Sequence, residues 1–388
     1  MSQTIQRAVL LLGIALAAPA QSWALRSTPA VLASALGDDE RLAQVTGYVS
    51  DPFGRIVFRV VFHEIDGGAF SEDAIFFRDG PLIAPVALQG YEADAPKRRF
   101  ASRAGAPVFS NPSLNPNGHA VFAARYEDAG KSAGRGLFLY DGAYLSLALG
   151  AGAEVPGAGA ALADFGEPSI LASGALVFSA FYDDANDGGR YAAADAIAGL
   201  AGGELLAFAR IGDPAPGMAG VFAAFGTPRT SPNGSAAFWA QVRDGAETTQ
   251  AIFLHKDGAL APVVRLGDAA PGADALFTTL RGGEISVNDA GQVAFAACWA
   301  DCFTRSGVFR ASAEGGVDAV AIFRPGDLLT SFIGAGSPAI TASGAVYFMG
   351  VQATDGSLGV FLASDLGVQS VAVTGEPISG EEAHGLFG

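Results

Sequence analysis

The sequence is 388 residues long, half of it hydrophobic and only 16% charged, with 52 glycines and a formal net charge of −16 at pH 7. That balance repels phosphate backbones and anionic lipid and argues against nucleic acid as a partner, while glycine at about twice its usual share calls for many tight turns around a large core. Length alone leaves the domain count open, because closed all-β architectures exceed the usual domain size.

The chain opens with Arg7 in a short polar segment, an apolar run from Ala8 to Ala18, and small residues at Ala18-Pro19-Ala20. The run falls far short of the roughly 20 residues that a membrane span needs. It predicts a secretory signal peptide over residues 1–24, cut after Ala20 or after Ala24. No cysteine near the cut could carry a lipid, no Arg-Arg pair precedes the run, and no hydrophobic tail ends the chain at Leu386-Phe387-Gly388. A secreted or periplasmic protein without a membrane span is expected. Next, Ala30 to Asp38 reads either as an extra strand pairing with the last repeat or as a short helix.

From residue 51 onward one pattern recurs six times. It reads Asp51-Pro-Phe-Gly54-Arg-Ile-Val-Phe58, Asn115-Pro-Asn-Gly118-His-Ala-Val-Phe122, Leu171-Ala-Ser-Gly174-Ala-Leu-Val-Phe178, Ser231-Pro-Asn-Gly234-Ser-Ala-Ala-Phe238, Asn288-Asp-Ala-Gly291-Gln-Val-Ala-Phe295 and Thr341-Ala-Ser-Gly344-Ala-Val-Tyr-Phe348. The glycines recur at roughly 53 to 64 residues, the mark of one structural unit repeated. A polar first residue, frequent proline second and glycine fourth describe a type I turn closed by a left-handed residue. Phe, four places after Gly, falls on one strand face every time, so that face must be buried.

After each signature comes an acidic or glycine-rich loop, then a short strand such as Gly136 to Tyr140, Ala251 to Leu254, Gly307 to Phe309 or Gly359 to Leu362. A glycine-containing turn and a further strand follow, ending in Gly212-Asp213, Gly267-Asp268, Gly326-Asp327 or Gly375-Glu376. Four strands per unit, with faces that only neighbours can cover, predict an all-β six-bladed β-propeller of four-stranded antiparallel blades. Residues 25–388 would form this single domain. A β-helix needs shorter coils and an immunoglobulin-like array about 100 residues per domain.

The repeat resembles that of bacterial exported proteins defined by tandem Asn-x-x-Gly-x-x-Ala-Phe motifs, whose members carry varied C-terminal surface anchors. Asn288 to Phe295 matches in full, and Asn115 to Phe122 and Ser231 to Phe238 depart at one position each. The resemblance implies an exported, propeller-like protein and brings no catalytic residues with it.

Few residues outside the repeat suggest chemistry. Cys298 and Cys302 are the only cysteines, and their spacing is not that of a Cys-x-x-Cys redox pair. Extended, their Cα atoms would lie roughly 13 Å apart, so the disulfide expected between them in an oxidising compartment requires a loop. Asp183-Asp184-Ala-Asn186-Asp187-Gly188 is dense enough in oxygen ligands to hold calcium but lacks EF-hand spacing. Turn chemistry is the simpler account, as it is for Asp213, Asp268 and Asp327, which recur once per repeat. The basic cluster Lys97, Arg98, Arg99 and Arg103 reads as a solvated connection. His63, His119, His255 and His384 have no metal-binding spacing, Gly130-Lys131-Ser132 lacks the rest of a phosphate loop, and no Gly-x-Ser-x-Gly elbow is present. Asn233-Gly234-Ser235, a formal sequon, lies inside a signature turn.

No catalytic, cofactor-binding or metal residue is therefore expected. The reading is a monomeric, non-enzymatic binding or scaffold propeller recognising an extracellular protein or glycan through its loops. A calcium-dependent hydrolase or lactonase-like propeller with a central metal is the alternative.

Overall fold

The computed structural model describes residues 41–373 except 52, 65–70, 95–97, 102–106, 129–133, 183–193, 303, 313, 325–328, 332–337 and 353–355. Every element among the described residues is a strand. The strands form the six-bladed β-propeller that the repeat predicts, each blade a meander of four antiparallel positions taken in chain order. Blade 1 orders Arg41–Ser50, Ile56–Glu64, Ser71–Asp79 and Leu82–Leu88. Blade 5 does the same with Thr279–Val287, Val293–Cys298, Ser306–Ala311 and Val317–Phe323.

The other four blades have a first strand in two pieces. These are Arg98–Phe100 with Ser113–Leu114, Asp164–Phe165 with Ser169–Ile170, Val221–Phe225 with Arg229–Thr230, and Leu329–Ser331 with Ala339–Ile340. The cause is visible in sequence. Three residues before the signature turn stand Pro112, Pro168, Pro228 and Pro338, whereas the first strands of blades 1 and 5, the latter bulged between Leu280 and Ile285, carry Tyr48 and Ile285 there. Proline has no N–H to give the ladder, so the pairing stops and resumes beyond it.

All six signature turns close with the same two backbone bonds. In blade 2 the Gly118 N–H donates to the Asn115 carbonyl and the Asn115 N–H to the His119 carbonyl, at 3.0 and 2.9 Å, and the other five repeat the pair. The six glycines have φ between 79° and 107°, the left-handed region that the turn requires. The six signature phenylalanines are at most 3% exposed. In five blades the Phe sits directly opposite a second Phe on the third strand, as with Phe238 and Phe253, whose ring centroids lie 5.9 Å apart.

In blades 1, 2, 3 and 5 both faces of the second strand are buried, not the Phe face alone, as where Ala120 to Arg125 is buried without a break; in blade 6 burial alternates along Val346–Gln352. Blade 2 packs between blades 1 and 3, so its second strand reads as a continuous apolar run. The Phe face of a blade packs on the opposite face of the blade before it: Val57, Ile75 and Phe77 meet Phe122 and Phe138. In the same way Ala294, Ala296 and Val308 meet Phe348 and Phe361.

By contact the chain divides into two compact units, Met1–Ala192 with Ala198–Leu206 and Ala193–Ile197 with Ala207–Gly388. The division falls within the third sheet. Within each unit, side chains stitch one signature turn to the next. Asn115 Nδ2 donates to the Leu171 carbonyl and Asn117 Nδ2 to the Ala172 carbonyl, while in the second unit Asn288 reaches Thr341 and Asn233 reaches Asp289. A buried ion pair adds to this in the first unit. Arg59 forks onto Asp73 with two 2.8 Å bonds, and Asp73 also accepts the N–H groups of Val108 and Phe109 from blade 2.

Candidate functional site

The residues that stand out in sequence fall apart in space. Cys298 and Cys302 are bridged, with Cα atoms 5.2 Å apart, across a loop that ends the second strand of blade 5. Backbone bonds from Thr304 and Arg305 to the Asp301 carbonyl, and from Trp299 to the Arg305 carbonyl, set that loop. Trp299 is 7% exposed and meets Phe309 edge-on. The bridge fastens a loop, and a fully buried Cys298 offers no reactive sulfur.

Of the basic cluster, Arg98 and Arg99 are described; Arg99 is exposed, and Arg98 is half-buried. Arg98–Phe100 is a short strand paired with Asp128 to Tyr126, and Arg98 bonds Asp94, reaches Asp128 and lies 5.1 Å over the Tyr126 ring. Strand pairing brings Asp128 and Tyr126 to Arg98, which the linear sequence keeps apart, while Asp94 is four residues away. Lys97, Arg103 and the acidic stretch Asp183 to Gly188 lie outside the described residues, as does Ala30 to Asp38. Among the described residues no three His, Cys, Asp or Glu side chains cluster as a metal site would need. Asp213 pairs with Arg210, and Asp268 accepts the Arg265 N–H, so both serve their turns.

A cleft of about 330 Å³ lies on blade 4. Its second and third strands, Ala236–Asp244 and Glu247–Lys256, pair all the way to a two-residue turn at Gly245 and Ala246. The hairpin so formed carries Asp244, Glu247 and Thr248 into solvent. Facing it is the connection from blade 3, where Pro214 pairs with Val221 and the Met218 N–H donates to the Ala215 carbonyl. Gly220 must be glycine here. A Cβ would sit 2.4 Å from the Arg243 carbonyl oxygen, and its φ is 99°. Arg265 ends the fourth strand of blade 4, Ala259–Arg265, and donates to the Gly217 carbonyl at 2.7 Å, which fixes the connection against the blade. Arg324 makes the same tie to Gly272 one blade on.

The cleft thus has Met218 and buried Val242 as its apolar part, with the carboxylates of Asp244 and Glu247, the hydroxyls of Thr248 and Thr249, and the Arg265 guanidinium around them. Carboxylates and hydroxyls accept hydrogen bonds from ligand hydroxyls, and an apolar patch takes the C–H face of a sugar or an aliphatic side chain. Sequence reading passes over this site because Asp244-Gly245 has the form of an ordinary turn.

Residues 33–330 match the family described as "Family of unknown function (DUF7453)". The chain belongs to the DUF7453 family. A search of curated proteins returns no match for this family member. Among solved structures, it is similar to the β-propeller domain of the Trilobed protease from Pyrococcus furiosus, at 9% identity and a TM-score of 0.39, over 86% of this chain and 99% of that one. It is also similar to an Aleuria aurantia lectin in complex with α-methyl-L-fucoside, at 12% identity and a TM-score of 0.37, over 88% and 98% of the two chains. With the Pyrococcus horikoshii acylaminoacyl peptidase, identity is 9% and the TM-score 0.42, over 85% of this chain and 52% of that one. The DUF7453 chain therefore spans about half the length of that peptidase. No helix among the described residues is long and apolar enough to cross a membrane.

Proposed function

We propose that the protein is an exported, monomeric binding propeller that recognises an extracellular glycan, or a protein segment presenting comparable hydroxyl groups, at the blade 4 cleft. The observation that carries this reading is the contrast between polar residues bonded within or between turns and polar residues that line a cleft. The former are used in turns and in ties between turns. Asp244, Glu247, Thr248 and Thr249 instead stand around a cleft, on a hairpin that the blade holds in place. Recognition residues sit on loops and hairpin tips carried by a rigid scaffold, and this is such a place. Export rests on the signal-peptide pattern of residues 1–24 and is in keeping with the Cys298–Cys302 bridge, which an oxidising compartment favours. The likeness to the anchored tandem-repeat proteins lies in the motif and extends to export, not to any particular anchor.

A glycan array probed with the purified mature chain, followed by calorimetry on the best ligand, tests the proposal. Replacing Asp244 by Asn together with Glu247 by Gln is expected to weaken binding by about tenfold or more, since each charged hydrogen bond contributes about 1.5–3 kcal/mol. Unchanged affinity in the double variant would remove the cleft from the account. Turnover of the bound ligand, or one calcium per chain with a large fall in melting temperature on chelation, would favour the hydrolase reading.

A further inference from the structure

Arg125 is the one strongly charged side chain among the described residues that is both buried, at 5% exposure, and without any hydrogen-bond or ion-pair partner. It lies in the second strand of blade 2, Ala120–Asp128, and its Nε is sealed from solvent with no acceptor. Its main chain is fully employed, the N–H donating to the Val108 carbonyl and the carbonyl accepting from Ala101. The side chain alone is unprovided for.

Register places it. Arg125 stands directly opposite Arg135 on the third strand, Gly134–Tyr140, so the two guanidinium groups share a face with Cβ atoms about 5 Å apart. That face looks toward blade 3, because Arg135 reaches across to the Asp164 carboxylate and to the Phe165 carbonyl. Asp164 is already engaged, by Arg135 and by the Phe165 N–H. The interface between blades 1 and 2 is the internal control. There one buried guanidinium, Arg59, meets one buried carboxylate, Asp73, in a two-bond fork, and Asp73 Oδ2 accepts two backbone N–H groups besides.

A guanidinium stays protonated at every physiological pH, and two like charges directly opposite on a ladder repel. An isolated charge withdrawn from water is costly unless paired, and the fork of donors on Arg suits a planar or tetrahedral oxyanion. We propose that the interface between blades 2 and 3 binds a small oxyanion, a carboxylate or sulfate, on the Arg125 guanidinium beside the Arg135–Asp164 pair. The site is separate from the blade 4 cleft and stands whether or not that cleft binds a glycan.

Equilibrium dialysis of the purified mature chain against labelled sulfate, and in a second arm against labelled acetate, tests this at constant ionic strength. One anion bound per chain, with a melting temperature that rises to a plateau as the anion saturates, is expected for the wild type. Arg125→Met should lose both, and Arg125→Lys, which keeps the charge without the fork, should bind about tenfold more weakly. Preference for acetate or for sulfate tells a carboxylate ligand from a sulfated one. No anion bound to the wild type overturns the proposal, and so does equal stabilisation of wild type and R125M, which is the general action of excluded salts. Should R125M fail to fold, dialysis of the wild type and of R125K decides the matter.

Discussion

Asn115 serves two turns at once. Its Oδ1 accepts the N–H groups of Asn117 and His119 inside its own turn, while its Nδ2 donates to Leu171 in the next blade. The local half of this was legible in sequence, because a polar first residue is ordinary turn chemistry. The second half was not, since the acceptor lies 56 residues away. Asn115→Asp keeps the local acceptor and loses the donor, so it should cost less than Asn115→Ala, which loses both. For a residue 1% exposed the alanine variant should lose about 2–4 kcal/mol, each unmade bond costing roughly 1–2 kcal/mol, measurable by urea unfolding. Glu284 gives a test of sign. Its side chain is 12% exposed, Oε2 has no partner, and burial raises its carboxyl above the ordinary glutamate range despite Arg281 at 2.9 Å. With the folded value raised, the stability that Glu284 contributes is full below the unfolded value of 4.5 and is lost as pH rises through the folded value. Glu284→Gln should therefore match wild type near pH 4 and equal or exceed it at pH 7 in melting experiments. A Gln variant weaker at pH 7 than at pH 4, relative to wild type, would show that the Arg281 pair outweighs burial.

At the scale of the element, the signature strand was read correctly as buried, but in blades 1, 2, 3 and 5 incompletely as one-faced. Alternation marks the Phe face, whereas the opposite face is filled by Val57, Ala123 or Ala296, small or branched residues that carry no periodic signal. The split first strands were legible in principle, from Pro112, Pro168, Pro228 and Pro338, because a missing N–H interrupts a ladder wherever it falls. The cleft was not legible, because it depends on how far a hairpin stays paired and on a connection from the preceding blade. Phe295 supplies a prediction for the blade interface. It is fully buried, stacks on Phe309 at 5.6 Å and meets Phe277 at 5.9 Å, and Ala237 and Ile252 of blade 4 join the same cluster. Phe295→Ala should cost about 3–5 kcal/mol. The Cys298–Cys302 bridge closes a loop of sequence separation 4 and should contribute less, about 2 kcal/mol by loop-closure entropy. Parallel denaturant titrations of Phe295→Ala and of a Cys298→Ala, Cys302→Ala double variant should rank them in that order.

Across the whole molecule, acidic residues outnumber basic ones by 39 to 23, and the buried ion pairs do not draw down that excess. Like charges spread over a compact body repel one another, and the repulsion is released on unfolding. Salt screens it over a Debye length that shrinks from about 30 Å at 0.01 M to about 10 Å at 0.1 M. Exposed pairs such as Arg98 with Asp128, at 3.4 Å, respond to salt in the opposite direction, but each is worth only a fraction of a kcal/mol. Arg59–Asp73, with side chains 5% and 4% exposed, is screened little. Repulsion should therefore win, and the melting temperature should rise as sodium chloride goes from 0.01 to 0.1 M. For a chain of this size 1 kcal/mol corresponds to about 1–2 °C, so a rise of that order is expected. A fall would mean that surface ion pairs outweigh the net charge. Arg125→Met should follow the same chloride curve as wild type, because screening acts on the whole field, whereas a saturable response to sulfate or acetate at fixed ionic strength belongs to one buried guanidinium.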